Sequence, residues 1–392
     1  MSEKVKLGII GIGNMGGAHI DNYVNGFMPE IELTCVADID ERKFENAKKK
    51  VPDIVCFNSA TELINSGLCE AVIIATPHYF HPTIGIEALK AGLHVMSEKP
   101  AGVYTKQVRE LIEFSKTQDK TYAIMFNQRT NCVYRKVKEI LSSGKYGELK
   151  RVSWIITDWF RTQQYYNSGG WRATWSGEGG GVMLNQCPHQ LDLWQWLCGM
   201  PVKVKAECHV GKWHNIEVED DVTIYVEYPN GATGTFITST GDCPGTNRLE
   251  ITLDKAKIIC ENNLITGAWE IWLCELEGST KEYIETSESS FETLKYKWEK
   301  VETDGKNEQH VGVMNSFAAH ILRGEPLIAD GCEGINGLTI SNAAFLSSWL
   351  DKTVEIPFDE DLYYDLLQEK IKNSKFEKVV NEKVEEDMSS TY

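Results

Sequence analysis

Three groups of residues in this chain have the types and spacing to do chemistry. The first is Gly11-Ile12-Gly13-Asn14-Met15-Gly16, directly after an apolar run and at the start of a helical pattern. In such a turn the first glycine makes the tight bend, the second lets a pyrophosphate approach the backbone, and the third lets helix pack on strand. Free N–H groups at the helix start then face the phosphates. Asp38 follows at the end of the next apolar run, 22 residues past Gly16. That is near the distance expected for an acid bonding the adenine ribose hydroxyls of a dinucleotide. A carboxylate there repels a 2′-phosphate, so NAD is favoured over NADP. Arg42 and Lys43 temper that preference, or else form a solvated helix face.

The second group is Ser97-Glu98-Lys99-Pro100, at a strand end. A lysine beside a nicotinamide cation is a candidate general base, its pKa lowered by burial and neighbouring positive charge. On this motif alone, a surface lysine is the more common reading. The third is Gly179-Gly180-Gly181 followed by Asn185, His189 and Asp192. On a helix over Met183–Leu197 these polar residues share one face, and Leu184, Leu191, Trp194 and Leu197 supply packing. Such a triplet facing a cleft positions a hydroxyl and moves its proton. The alternative is a hydrogen-bonded histidine in a helix start. No metal site is expected, because no third ligand has a suitable spacing.

The elements that must position these groups read as two units. Strands at 6–12, 31–37, 71–75, 94–97 and 122–126 alternate with helical patterns at 15–26, 41–50, 83–91 and 106–117. That alternation predicts an α/β doubly wound parallel sheet over residues 1–126. From Leu149 onward, period-two stretches such as 151–157, 222–228, 233–238 and 249–253 predict a mostly antiparallel sheet with one covered face. With helices at 311–323 and 334–350 it makes an α+β unit over 127–350. The remainder, 351–392, has 12 acidic and 6 basic residues, predicting one helix and then a disordered acidic tail.

Composition removes several functions. With 57 acidic against 40 basic residues, the formal charge is −17, which repels nucleic acid and anionic lipid. No apolar run reaches the roughly 18 residues of a membrane span. The start runs into a strand without the apolar stretch of a signal peptide, so a cytoplasmic location is expected. Eleven cysteines without a C-x-x-C pair argue against disulfides or a thiolate zinc site.

The combination resembles the Gfo/Idh/MocA oxidoreductase family, over about residues 4–350. The likeness rests on the glycine turn with Asp38, on 75–81 (ATPHYFH) and 88–100 (ending Ser97-Glu98-Lys99-Pro100), on Asn127-Gln128-Arg129, and on Gly179–Gly181 with His189 and Asp192. The resemblance implies a Rossmann domain joined to an α/β domain whose open sheet forms a homo-oligomer interface. It implies that Gly11, Gly13 and Gly16 hold the pyrophosphate. Thr76, Pro77 and His81 would line the nicotinamide side, with Glu98 on its ribose. Lys99 matches the catalytic lysine and His189 the catalytic histidine. Asn127 and Arg129 would sit near cofactor and substrate, and Trp171-Arg172 would reach the cofactor. The position four before the histidine is usually aspartate in that family; here it is Asn185, which can orient a hydroxyl but cannot take its proton.

Substrate clues come from Trp154, Trp159, Phe160, Tyr165, Tyr166, Trp171 and Trp175, interleaved with Gln163, Gln164 and Asn167. Flat rings flanked by amides suit a sugar; a packed strand and loop is the alternative. The expectation is an NAD-dependent dehydrogenase acting on a secondary hydroxyl of a sugar, glycoside or cyclitol. Lys99 is the base, and Arg129, Tyr165, Asn185 and His189 hold the substrate. Two rivals stand beside it. One is a redox-neutral enzyme that retains NAD and cleaves a glycoside through transient oxidation. The other is a non-catalytic NAD-binding sensor, which would not need Lys99 and His189.

Overall fold

The computed structural model describes residues 4–263 and 265–380. Six short apolar strands form a first sheet: β1 (Val5–Ile10), β2 (Ile31–Ala37), β3 (Val55–Phe57), β4 (Ala71–Ile74), β5 (His94–Ser97) and β6 (Tyr122–Ile124). They are all parallel, in the order β3-β2-β1-β4-β5-β6. Leu7, Ile9, Val36, Val72 and Ile73 are almost wholly buried, as a sheet covered on both faces requires. The strand order reverses between β1 and β4, so the turns leaving those two strands open a crevice at their carboxyl ends.

The second sheet has nine strands: β7 (Leu149–Ile156), β8 (Lys203–Val210), β9 (Glu219–Glu227), β10 (Thr233–Ser239), β11 (Asn247–Leu253), β12 (Ala256–Asn262), β13 (Trp269–Leu276), β14 (Tyr296–Val301) and β15 (Val354–Glu355). Their order is β14-β13-β12-β11-β7-β10-β9-β8-β15. Of these pairings, β7–β10 is parallel and the rest are antiparallel. Burial alternates along β10 and β11, which marks one covered face. On that face Trp194, from the helix Pro188–Cys198, stacks on Phe236 at 5.3 Å.

Three features of the elements bear on the site and its frame. The expected helix over Met183–Leu197 begins only at Pro188. The buried carboxylate of Glu219 accepts the N–H groups of Gly181 (2.7 Å) and Met183 (2.9 Å), and the Val182 N–H bonds the Glu219 carbonyl. Tied in this way to β9, the preceding segment forms turns, and proline takes the first helical position. Secondly, the helix Gln309–Arg323 belongs to the core of the first sheet: Val313, Met314, Phe317 and Ala318 join Val5, Leu7 and Ile9 there. Thirdly, the helix expected after residue 351 is present and packs into the fold. Val354 and Glu355 pair with β8. The helix Glu360–Asn373 buries Tyr363 and Leu367, and Tyr363 stacks on Trp349 at 5.3 Å. Its acidic first turn bonds Arg109 and Lys106 of the first unit. The disorder expected beyond it, over 381–392, lies outside the described residues. Among the described residues no helix is long and apolar enough to cross a membrane.

Candidate active site

The turn after β1 is built as its glycines require. Gly11 has φ +88°, and a Cβ there would stand 2.7 Å from the Ala75 carbonyl oxygen. A Cβ at Gly16 would lie 2.0 Å from the Gly11 oxygen, so that glycine sets helix against turn. Gly13 differs. Its φ is −71°, and a Cβ would meet nothing closer than Lys43 Nζ at 4.0 Å. It faces open space at the start of the helix Asn14–Val24, a cradle that a phosphate fills and a side chain would obstruct. Behind the turn, Asp38 is buried. Its carboxylate accepts the N–H groups of Ile12 and Asp40, both at 2.9 Å, and pairs with Lys43 at 3.0 Å. Lys43 is therefore the partner of Asp38 and part of the cleft wall, not only a solvated helix face.

The strand ends after β4 and β5 complete this half. His81 sets its two ring nitrogens 2.8 Å from the Pro100 carbonyl oxygen and 2.7 Å from that of Thr76, pinning the two loops together. Glu98, buried, bonds His19 Nε2 at 2.8 Å. Burial alone would raise its pKa, but that bond and the nearby His310 and Lys99 hold the carboxyl below the ordinary range. Lys99 reaches across to the second unit, where Nζ donates to the Asn185 carbonyl oxygen at 2.9 Å. Its pKa is lowered by burial first and by Arg172 as well, against the opposing pull of Glu98, Cys187 and Glu178.

The facing wall is a network around Asn185. Its amide nitrogen donates to Glu178, and its Oδ1 accepts from the Tyr165 hydroxyl at 3.3 Å. That hydroxyl accepts from Arg172 (2.7 Å) and from Gln186 (2.9 Å). Glu178 also receives the Ala173 N–H at 2.6 Å, which anchors Ala173 at φ +57°, a left-handed conformation that strains an alanine. Burial raises the Glu178 pKa. His189 is buried in the first turn of its helix; burial and then Lys99 push its pKa far down, so the ring is neutral at physiological pH.

These walls enclose a cleft of about 610 Å³, within the range of small-molecule sites. Of the residues expected at the site, Gly11, Gly13, Asn14, Met15, Asp38, Thr76, Pro77, His81, Glu98, Lys99, Tyr165, Trp171, Arg172, Asn185 and His189 line it. Ile12 and Gly16, in the same turn, are not among the lining residues. Two expectations are corrected. Arg129 does not face the cleft: it is 3% exposed and bonds Asp192 through Nε (2.8 Å) and Nη2 (2.7 Å), with Glu333 at 2.8 Å from Nη1. The Asp192 carboxylate is thereby committed to Arg129 and Gln195, and Asp192 is not among the residues that line the cleft. Asn127 is likewise outside the lining, bonded to Gln309 at 2.5 Å. The sequence reading missed Glu178 and did not single out His78 or Arg161, both of which line the cleft. Glu178 left one faint signal, an acid set between Gly177 and Gly179–Gly181.

The chain matches two family models. Residues 5–126 match the model of the oxidoreductase family with an NAD-binding Rossmann fold, and residues 134–259 match the GFO/IDH/MocA C-terminal domain. An inositol 2-dehydrogenase of Corynebacterium glutamicum is 24% identical over 235 residues, 59% of this chain and 66% of that protein. A myo-inositol 2-dehydrogenase of Thermotoga maritima is 23% identical over 66% of this chain and 75% of its own. Among solved structures, a WlbA dehydrogenase of Chromobacterium violaceum, in complex with NADH and UDP-GlcNAcA, superposes with a TM-score of 0.76 at 25% identity. That match covers 92% of this chain and 98% of the other.

Proposed function

Because this chain belongs to the Gfo/Idh/MocA family of NAD-binding oxidoreductases, we propose that it oxidises a secondary hydroxyl of a sugar, glycoside or cyclitol, with Lys99 as general base. One observation carries the reading: Lys99, its pKa lowered by burial and its Nζ bonded to the Asn185 carbonyl, faces the same cleft as the glycine turn, Asp38 and His189. The names of the relatives, dehydrogenases of inositol and of a sugar nucleotide, support the substrate class.

The fit to a dinucleotide is good at each end. Gly13 leaves room for phosphates, Asp38 offers a carboxylate to ribose hydroxyls, and Glu98 stands beside Lys99 at the inner end. When bound, the nicotinamide would accept the hydride from the carbinol carbon. The other work falls to the protein. Asn185, through its carbonyl, takes one Nζ hydrogen of Lys99 and so aims the nitrogen lone pair into the cleft. Lys99 removes the hydroxyl proton as the carbonyl forms and carries it as an ammonium, beside the Glu98 carboxylate. Neutral His189 donates or accepts one hydrogen bond to the substrate oxygen. Asn185 cannot take the proton, since an amide is not basic; its side chain bonds Glu178 and Tyr165. NAD is the preferred cofactor on the strength of Asp38, with Lys43 softening the exclusion of a 2′-phosphate.

The test is spectrophotometric: purified protein with NAD and a panel of sugars, sugar acids and cyclitols, followed at the reduced-nicotinamide band. Lys99→Ala should lower kcat by roughly 100- to 10,000-fold while NAD affinity stays within a few-fold. The pH profile of wild-type kcat/KM should rise to a plateau below the usual lysine pKa of about 10.4. Full activity in Lys99→Ala sinks the assignment.

A further inference from the structure

The part of the cleft wall that comes from residues 159–189 carries two arginines and no carboxylate. Arg161 has no role in the chemistry above. Its guanidinium carbon stands 5.2 Å from the centre of the Tyr165 ring and 5.9 Å from that of Trp159. Arg172 stands 4.5 Å from the same Tyr165 ring. The polar bond of the Arg161 side chain is to the adjacent Phe160 carbonyl. Other arginines of this acidic protein are matched to acids: Arg42 to Asp40, Arg109 to Glu360, Arg135 to Asp304, Arg323 to Glu30. Among the described residues no carboxylate forms an ion pair with Arg161; Asp158 is near enough to feel its charge but is not bonded to it, its carboxylate accepting from Asn247 instead.

The backbone under Arg161 is held firmly. Its N–H donates to the Thr240 carbonyl at 2.9 Å, and its carbonyl faces His214 Nε2 at 2.9 Å. His214 Nδ1 bonds Asp220 at 2.9 Å, and Asp220 also accepts the N–H groups of Lys212, Trp213 and His214. A guanidinium stacked on rings, with its backbone fixed and no carboxylate bonded to it, is preorganised for a planar or tetrahedral anion. The two acids of the cleft, Asp38 and Glu98, are both in the first unit and already bonded, to Lys43 and His19.

From the seating of Arg161 over Trp159 and Tyr165, beside Arg172, we infer that the substrate is an anionic sugar, whose carboxylate or phosphate binds Arg161 while its hydroxyl lies at Lys99. Tyr165 links the two ends. Its ring lies beneath Arg161, and its hydroxyl bonds the same Asn185 whose carbonyl holds Lys99. This inference names the substrate of the proposed dehydrogenase and rests on that reading for the hydroxyl end only.

Two measurements separate the two claims. Binding of D-glucuronate, D-glucose 6-phosphate and D-glucose to the NAD-loaded protein is read from tryptophan fluorescence, and turnover with each is read as NADH. At least one anionic sugar should bind more tightly than glucose by roughly 10- to 100-fold, the scale of a charged hydrogen-bonded contact, and the advantage should shrink with added salt. Comparing the two anions identifies carboxylate or phosphate as the group. Arg161→Gln should abolish the advantage and leave NAD affinity within threefold; Arg161→Lys should retain part of it, which shows that loss in the glutamine variant is not misfolding. Equal affinity for all three sugars, or an advantage that survives Arg161→Gln, overturns the inference whatever the turnover. An Arg161-dependent anion preference without NADH formation keeps the inference and refutes the dehydrogenase.

Discussion

Asp192 was expected beside His189 as part of a proton-handling face, and its actual partner makes a sharper prediction. Its carboxylate takes both Nε and Nη2 of Arg129 at 2.8 and 2.7 Å, with both side chains at most 2% exposed. Asp192→Asn keeps the volume but removes the charge and turns an N–H toward the guanidinium. Removing one partner from a buried pair costs about 3–5 kcal/mol. Glu333 remains 2.8 Å from Nη1, with its side chain 38% exposed, and recovers a small part. Gln195, which donates to Asp192 at 2.9 Å, loses strength on the other side. The expected loss is therefore near the low end, about 3 kcal/mol. Urea unfolding followed by tryptophan fluorescence reads this as a lower midpoint at similar slope. Below the transition, kcat and sugar KM should stay within a few-fold. The double variant Arg129→Met, Asp192→Leu should regain most of the stability, because apolar groups of similar volume replace a buried pair with little or no penalty. A loss below about 1 kcal/mol for Asp192→Asn, or a large rise in sugar KM at unchanged stability, would refute the scaffold role and return Arg129 to the substrate.

Three further outcomes follow from the geometry. Gly13→Ala should fold with near-normal stability yet bind NAD at least tenfold more weakly, whereas Gly16→Ala should lower the melting temperature, since its Cβ meets the Gly11 oxygen at 2.0 Å; equal stability loss in both would contradict the open cradle. Asp38→Ala should weaken NAD and narrow its advantage over NADP, with Lys43→Ala acting in the opposite sense on NADP; an unchanged cofactor ratio in both, by steady-state kinetics, removes the ribose role. His214 faces an acceptor at each ring nitrogen; burial opposes its charge, but the bonds to Asp220 and to the Arg161 carbonyl outweigh that and raise its pKa. Its stabilisation is complete below the ordinary histidine value of about 6.5 and is lost as pH rises through the higher folded value. The melting-temperature gap between wild type and His214→Gln should therefore shrink from about pH 5.5 to about pH 9, and a gap that widens with pH would be inconsistent with a charged ring.

The cofactor half of the site was legible in the sequence because its causes are local. Gly11 and Gly16 must touch within one strand-turn-helix unit, so their spacing alone encodes the contact. The apolar strands and their alternation with helices announced the parallel sheet by the same logic. The substrate half was legible only in its residue types. The Lys99–Asn185 bond joins positions 86 apart, and Arg129 meets Asp192 across 63. No periodicity specifies such pairs. Helix spacing set Asp192 beside His189, yet the buried guanidinium of Arg129 demanded a carboxylate and took that of Asp192. Glu178 and Arg161 gained their meaning only from neighbours supplied by folding: Asn185 and Ala173 for the one, Tyr165, Trp159 and His214 for the other. Residue types and local spacing determined the parallel sheet, its glycine turn and the strand end that carries Lys99. Which buried charges are matched, and which one is left facing the cleft, was decided by tertiary packing, because desolvation makes a charge choose among groups that only the fold brings within reach.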